Sequence, residues 1–155
     1  MSTVRPVRRS WCARLRAFGW TLLLFAMLAA LWLVQRPPLH HGRMLFTSDG
    51  DSFTIRSEGG QRAIRLLGID APELAQSCQD ARSRPWPCGA RARDALTALA
   101  PRGAAIACRS EGKDRFDRAL SRCTLADDRD LAAALVKNGW AIATTEDYLV
   151  EQDRA

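Results

Sequence analysis

The stretch R-L-L-G-I-D-A-P-E, Arg65 to Glu73, follows Ala63 and Ile64, and D-G-D-S stands just upstream at Asp49 to Ser52. Ala63-Ile64 and Leu66-Leu67 read as a strand, and Gly68 and Pro72 mark where the chain bends away from it. One arginine and two carboxylates therefore gather at the mouth of a strand. Such a gathering of charge suits a metal ion and a phosphate.

From Arg43 the chain becomes strand-rich, and S-F-T-I-R (Ser52 to Arg56) alternates, with Phe53 and Ile55 on one face. A Gly-Gly turn within Ser57 to Gly60 returns the chain through Arg62 to Gly68, which makes a hairpin. Pro72 to Cys88 reads as a loop rich in Pro, Ser and Arg. Gly89 to Ala100 reads as a helix, with Ala92, Leu96 and Leu99 on one face and Pro101 and Gly103 ending it. Ala104 to Arg109 and Ala119 to Leu125 read as two further strands around the charged loop S-E-G-K-D-R-F-D-R. Asp130 to Asn138 is a second helix, Trp140 to Ala143 a short strand, and Glu146 to Ala155 a last helical segment. Three strands, a helix and two more strands form the pattern of a five-stranded α+β barrel of the OB type, with two to three helices, over residues 44–155.

The amino-terminal part has another character. Ala17 to Val34 carries no charge, and at ~1.5 Å per residue it is roughly long enough for a ~30 Å hydrocarbon core. Trp20 and Trp32 sit near its ends, and Arg5, Arg8, Arg9, Arg14 and Arg16 precede it. The expectation is a single-pass anchor in the inner (plasma) membrane: residues 1–16 a basic cytoplasmic segment, 17–34 in the lipid bilayer, and 35–43 a linker. The domain that follows is then periplasmic or otherwise extracytoplasmic. Secretion after signal cleavage is the alternative.

Charge follows the same division. The chain is +6, but residues 1–36 hold six arginines and no acid, so the other 17 basic residues balance the 17 acids. The basic pI reports topology and is no argument for binding nucleic acid. Cys12 precedes the apolar segment, whereas Cys78, Cys88, Cys108 and Cys123 all follow it. An even number without C-x-x-C spacing favours disulfides over metal. Three pairings are open, and the favoured one joins nearest neighbours, Cys78–Cys88 and Cys108–Cys123, the second across one hairpin. Free buried thiols are the alternative in a reducing compartment. His40 and His41 follow a diproline and read as solvated linker.

In-line cleavage of a phosphodiester needs a positioned water, a group to orient or deprotonate it, and positive charge where negative charge grows. Asp49, Asp51, Asp70 and Glu73 can supply ligands or a base, and Arg65, Arg115 and Arg118 can supply cations. Each also has an ordinary reading: D-G-D is a turn former, D-A-P-E a way out of a strand, and K-D-R-F-D-R a solvated loop. Arg65 in an apolar strand is harder to explain away, because a half-buried guanidinium needs a carboxylate nearby.

The ordered set D-G-D-S, R-L-L-G-I-D-A-P-E, D-R-F-D-R-A-L and L-V-K-N-G-W-A closely resembles the thermonuclease, or staphylococcal nuclease-like, family over roughly Leu45 to Ala155. The C-x9-C segment with R-P-W-P-C-G resembles a bacterial subset with the same extra cysteines. The resemblance implies an OB-fold, Ca²⁺-dependent phosphodiesterase acting on DNA and RNA. It implies that Asp51 and Asp70 are carboxylate ligands of Ca²⁺, that the Ala71 carbonyl is a third, and that Glu73 orients or deprotonates the water. Arg65 and Arg118 would bind the scissile phosphate. Asp49 would support the ligands from behind, Asp114 would brace the arginine loop, and Arg115 and Phe116 would contact a nucleotide end. Ala71 and Ser52 replace threonines of the family prototype, and Arg115 and Phe116 replace a lysine and a tyrosine. The family also implies a last helix that continues and closes on a Gly-Leu-Trp-like segment. The ending at Ala155 is therefore expected to leave part of the barrel uncovered. The alternative to a nuclease is a non-catalytic OB module that binds single-stranded nucleic acid or another polyanion, including one in exopolysaccharide synthesis. No protein partner can be read from the sequence.

Overall fold

The computed structural model describes residues 11–34 and 37–154, with side chains from residue 18 onward. The chain divides into two units, Met1–Arg36 and Pro37–Ala155. The first contains one helix, α1 (Trp11–Val34), and the apolar side chains from Phe18 to Val34 are exposed. Among the described residues no helix is long and apolar enough to cross a membrane. The single-pass anchor expected over 17–34 is thus not borne out among the described residues. Residues 1–16 with their arginines, and Gln35 and Arg36 of the expected linker, lie outside the described side chains.

In the second unit the elements run β1 (Leu39–Thr47), β2 (Ser52–Ser57), β3 (Gly60–Leu66), β4 (Ile69–Asp70), β5 (Cys78–Gln79), β6 (Pro85–Trp86), α2 (Cys88–Leu99), β7 (Ala105–Lys113), β8 (Ala119–Leu125), α3 (Leu131–Lys137) and β9 (Ile142–Ala143). A 3-10 turn (Glu146–Tyr148) and α4 (Leu149–Gln152) close the chain. Five strands form a closed barrel in the order β1-β2-β3-β8-β7. All neighbours are antiparallel except β3 and β8. This is the OB-type α+β barrel that the strand pattern led us to expect.

Closure removes free sheet edges, and alternation fills the interior. Along β8, Ala119, Ser121, Cys123 and Leu125 point inward while the residues between them stay half-exposed. Phe53, Ile55, Ile64 and Leu66 of β2 and β3 are essentially inaccessible. Helix α2 buries Ala92 and Leu96, and α3 buries Leu131, Leu135 and Val136. Asp130 caps α3 by accepting from the Ala133 N–H (3.0 Å). Cys108 and Cys123 are directly paired across the β7–β8 hairpin and are disulfide-bonded, as are Cys78 and Cys88. Both pairings are those favoured from the sequence.

Three boundaries differ from expectation, each because strand pairing continues further than local composition suggests. Residues 39–42 are part of β1 and pair with 106–109 of β7, so the expected linker over 35–43 stops before Leu39. His40 is consequently half-buried, and burial, then the nearby Arg62, lowers its pKa. Strand β7 runs on to Lys113 through a bulge between Ser110 and Gly112, which shortens the charged loop to 114–118. The supposed loop after Pro72 contains a two-residue hairpin, with Cys78 opposite Trp86.

Candidate active site

Barrel register brings the charges together. Antiparallel pairing sets Ser52, at the start of β2, opposite Arg65 near the end of β3. Parallel pairing then sets Arg65 beside Leu120 of β8, so Arg118 arrives at the same rim. Gly68 turns the chain out of β3 with φ +83°, and a Cβ there would sit 2.8 Å from Thr145 and from the Tyr148 ring. Only glycine makes that turn without strain, and it delivers Asp70.

Asp51 is almost fully buried. Arg65 meets it with both terminal nitrogens, Nη1 donating to Oδ1 (3.1 Å) and Nη2 lying 2.9 Å from Oδ2. The same Nη2 lies 2.7 Å from Asp70 Oδ1. One guanidinium therefore holds two carboxylates, a charge-assisted, partly bidentate arrangement. Asp51 also accepts from the Ser52 hydroxyl (2.8 Å) and the Ala71 N–H (3.3 Å). Burial nevertheless pushes its pKa upward: the Ser52 hydroxyl, Arg65 and the Ala71 N–H oppose the shift, and the Asp70 charge adds to it.

Arg118 joins the same network from the other side. Its Nη1 donates to Ser52 Oγ (3.0 Å) and its Nε to Asp114 Oδ2 (2.7 Å). Asp114 also accepts from the Phe116 and Arg118 N–H groups (2.9 and 3.0 Å), so it ties off the loop that carries Arg118. Burial alone would raise the Asp114 pKa, but the Arg118 side chain and the loop N–H groups outweigh it and hold the carboxyl low. Phe116 is exposed, with Arg115 and Arg118 over its ring at 4.7 and 5.2 Å. A continuous run therefore links Asp114, Arg118, Ser52, Asp51, Arg65 and Asp70.

Glu73 lies on the loop that leaves Asp70 and Ala71. Asp49 accepts from the Leu74 N–H (3.0 Å) and Gln76 Oε1 from the Glu73 N–H (3.2 Å). The Glu73 carbonyl accepts in turn from the Gln76 N–H (2.7 Å). Helix α2 packs beneath through Gly89, where any Cβ would overlap the Glu73 carbonyl oxygen. The Glu73 side chain is exposed.

For a divalent ion, Asp51, Asp70 and main-chain carbonyls form a hard oxygen set of the kind Ca²⁺ prefers. Among the described residues there is no group of three His, Cys, Asp or Glu side chains that could hold a metal. A cation here would therefore depend on two carboxylates, backbone oxygen and water. Arg65 supplies the positive charge between those carboxylates in this structure.

A family model described as staphylococcal nuclease homologue matches residues 63–154. The chain belongs to the staphylococcal nuclease homologue family. That match starts after D-G-D-S, and the fold is what returns Asp49, Asp51 and Ser52 to the matched part. A curated relative, the succinoglycan biosynthesis protein ExoI of Rhizobium meliloti (strain 1021), is 33% identical over 94 residues. The aligned part is 61% of this chain and 47% of the relative, so the chain spans about half the length of the curated relative it matches.

Sequence reasoning missed the Ser52 bridge between the two arginine clusters, the Gln76 contact to Glu73, and the packing of Gly89. A glycine opening a helix, on the heels of a cysteine, was the one legible signal among them.

Proposed function

We propose that this chain is an extracytoplasmic, Ca²⁺-dependent phosphodiesterase that hydrolyses DNA, RNA or both. The observation that carries the reading is the hydrogen-bonded run from Arg118 through Ser52 and Asp51 to Arg65. It ties two guanidinium groups to one buried carboxylate, Arg65 directly and Arg118 through Ser52, at the rim where Asp70 and the Glu73 loop emerge. Non-catalytic binding does not require that convergence.

Arg65 and Arg118 hold the phosphate, their planar forks matching its oxygens. Glu73, exposed on the loop that leaves Asp70, orients or deprotonates the attacking water. Asp51, Asp70 and the Ala71 carbonyl are the residues that would hold Ca²⁺, which when bound supplies Lewis-acid polarisation of the phosphoryl oxygen. Two disulfides support a compartment that is not reducing.

ExoI, named for succinoglycan biosynthesis, favours a second reading in which the barrel binds an anionic polymer without cleaving it. Incubation of the chain with single-stranded DNA and with RNA, with Ca²⁺ or with excess chelator, separates the two. The nuclease reading expects Ca²⁺-dependent cleavage that Glu73→Gln reduces by about 10²- to 10⁴-fold with oligonucleotide affinity retained. Binding without turnover under every condition would instead leave the polymer-binding module.

A further inference from the structure

A cleft of about 300 Å³ is lined by Trp86, Trp140, Ile142 and the Cys78–Cys88 disulfide, with Gln76 and Asp70 among its polar lining. Apart from Asp70 and Ala71, which also line it, none of the roles above uses it. We propose that this cleft receives a nucleobase of the strand whose phosphate Arg65 and Arg118 hold, an assignment that rests on the phosphodiesterase reading.

Its position gives the first reason. Asp70 both lines the cleft and pairs with Arg65 at 2.7 Å. The cleft thus begins one side chain from the phosphate-holding guanidinium, within reach of an adjoining nucleotide. Its walls give the second. Trp86 and Trp140 are both half-buried, so each ring keeps surface to offer a flat partner. Neither placement is accidental. Trp86 stands opposite Cys78 in the β5–β6 hairpin, and the disulfide from Cys78 to Cys88 fastens that hairpin to the start of α2. Trp140 follows Gly139, whose positive φ (+71°) ends α3, and its N–H donates to the Leu135 carbonyl (3.0 Å).

Charge gives the third reason. The lining contains one carboxylate and no lysine, arginine or histidine. A second phosphate or an acidic sugar has nothing there to neutralise it, whereas an uncharged base has indole faces to stack on. Gln76 and Asp70 stand where the polar edge of a base would be read. Gln76 already uses Oε1 on the Glu73 N–H, which leaves its amide N–H₂ to donate outward. Aromatic platforms beside a phosphate-binding groove are how single strands are held without a duplex.

The test uses the full chain and a single-stranded oligonucleotide with one cleavage position. It is compared with the same strand made abasic at each nucleotide flanking that position. Trp86→Leu is expected to raise KM on the base-bearing strand about tenfold, with kcat within about twofold, the range stacking on one aromatic ring provides. Trp86→Phe should restore KM to within about threefold, because it keeps a flat face. Removing the base on one flank should raise the wild-type KM by a similar factor and add nothing to Trp86→Leu. Trp140→Leu, checked for native circular dichroism, should behave like Trp86→Leu. If KM is unmoved by both tryptophan changes, or rises equally on the abasic strands, the cleft is not a base subsite. A wild-type chain that cleaves and binds no oligonucleotide overturns the phosphodiesterase reading itself, and this assignment with it. Tight binding of a neutral glycan that Trp86→Leu abolishes, with oligonucleotide KM unmoved, also overturns the assignment.

Discussion

Arg65 and Glu73 are close neighbours in the chain and are held by different means. Arg65, Asp51 and Arg118 stand on or beside barrel strands, where the register of β2, β3 and β8 fixes their backbones and mutual hydrogen bonds fix their side chains. Glu73 stands on a loop, and Trp86 on the short β5–β6 hairpin that follows it, restrained by Asp49, Gln76, Gly89 and a disulfide. The charge-binding half is thus built into the fold itself. The water-handling half is docked onto it, and its placement depends on a few local contacts that can be removed without dismantling the barrel.

That difference sets where substitutions should act. Among the contacts that dock the loop, Gly89→Ala is expected to have the largest effect, because its new methyl overlaps the Glu73 carbonyl and the loop must move. A displacement near 1 Å at the catalytic group can cost about 10²-fold in turnover. Circular dichroism should stay native while kcat falls, and an unchanged kcat would show that the loop is not docked through Gly89.

The two disulfides sharpen the contrast. Serine at Cys78 and Cys88 should release the β5–β6 hairpin and lower kcat by roughly tenfold. Serine at Cys108 and Cys123 removes a staple between strands that are already paired. It should leave kcat nearly intact and reduce stability by about 3 kcal/mol, the chain-entropy value for a loop of that size. Equal effects of the two pairs on turnover would erase the distinction between the halves.

The smallest effect is a pH dependence. Asp114 has its pKa held low in the folded state, so its contribution to stability is complete above the unfolded value near ~3.9 and is lost only as pH falls through the lower folded value. The difference in Tm between wild type and Asp114→Asn should therefore be constant above about pH 4 and shrink below it. A difference that persists unchanged to pH 2 would mean that the Arg118 loop does not depend on this carboxylate.

Much of the charge-binding half was legible in the sequence, because strand alternation and turn residues place D-G-D-S and R-L-L-G-I-D at the same end of two antiparallel strands. Alternation also found β8 and the faces of α2 and α3. What was not legible depends on contacts between distant segments. Leu39 to Gly42 look like linker until β7 offers a partner. Ser52 is one hydroxyl among many until Arg118 arrives from β8. The cleft combines residues from the 76–88 loop with residues after α3, and no local pattern joins them. The membrane span read from apolar length, flanking tryptophans and preceding arginines has no counterpart among the described residues.

The central claim is that Arg65 and Arg118 act on one phosphate through a shared network. A double-mutant cycle on kcat/KM with Arg65→Ala and Arg118→Ala measures this most directly. Each single change is expected to cost about 10²- to 10³-fold, as for loss of one preorganised donor. The double variant should lose at least tenfold less than the product of the two, because groups acting as a unit are not additive. Losses that multiply fully, or a single change costing under about tenfold, would contradict a common phosphate site.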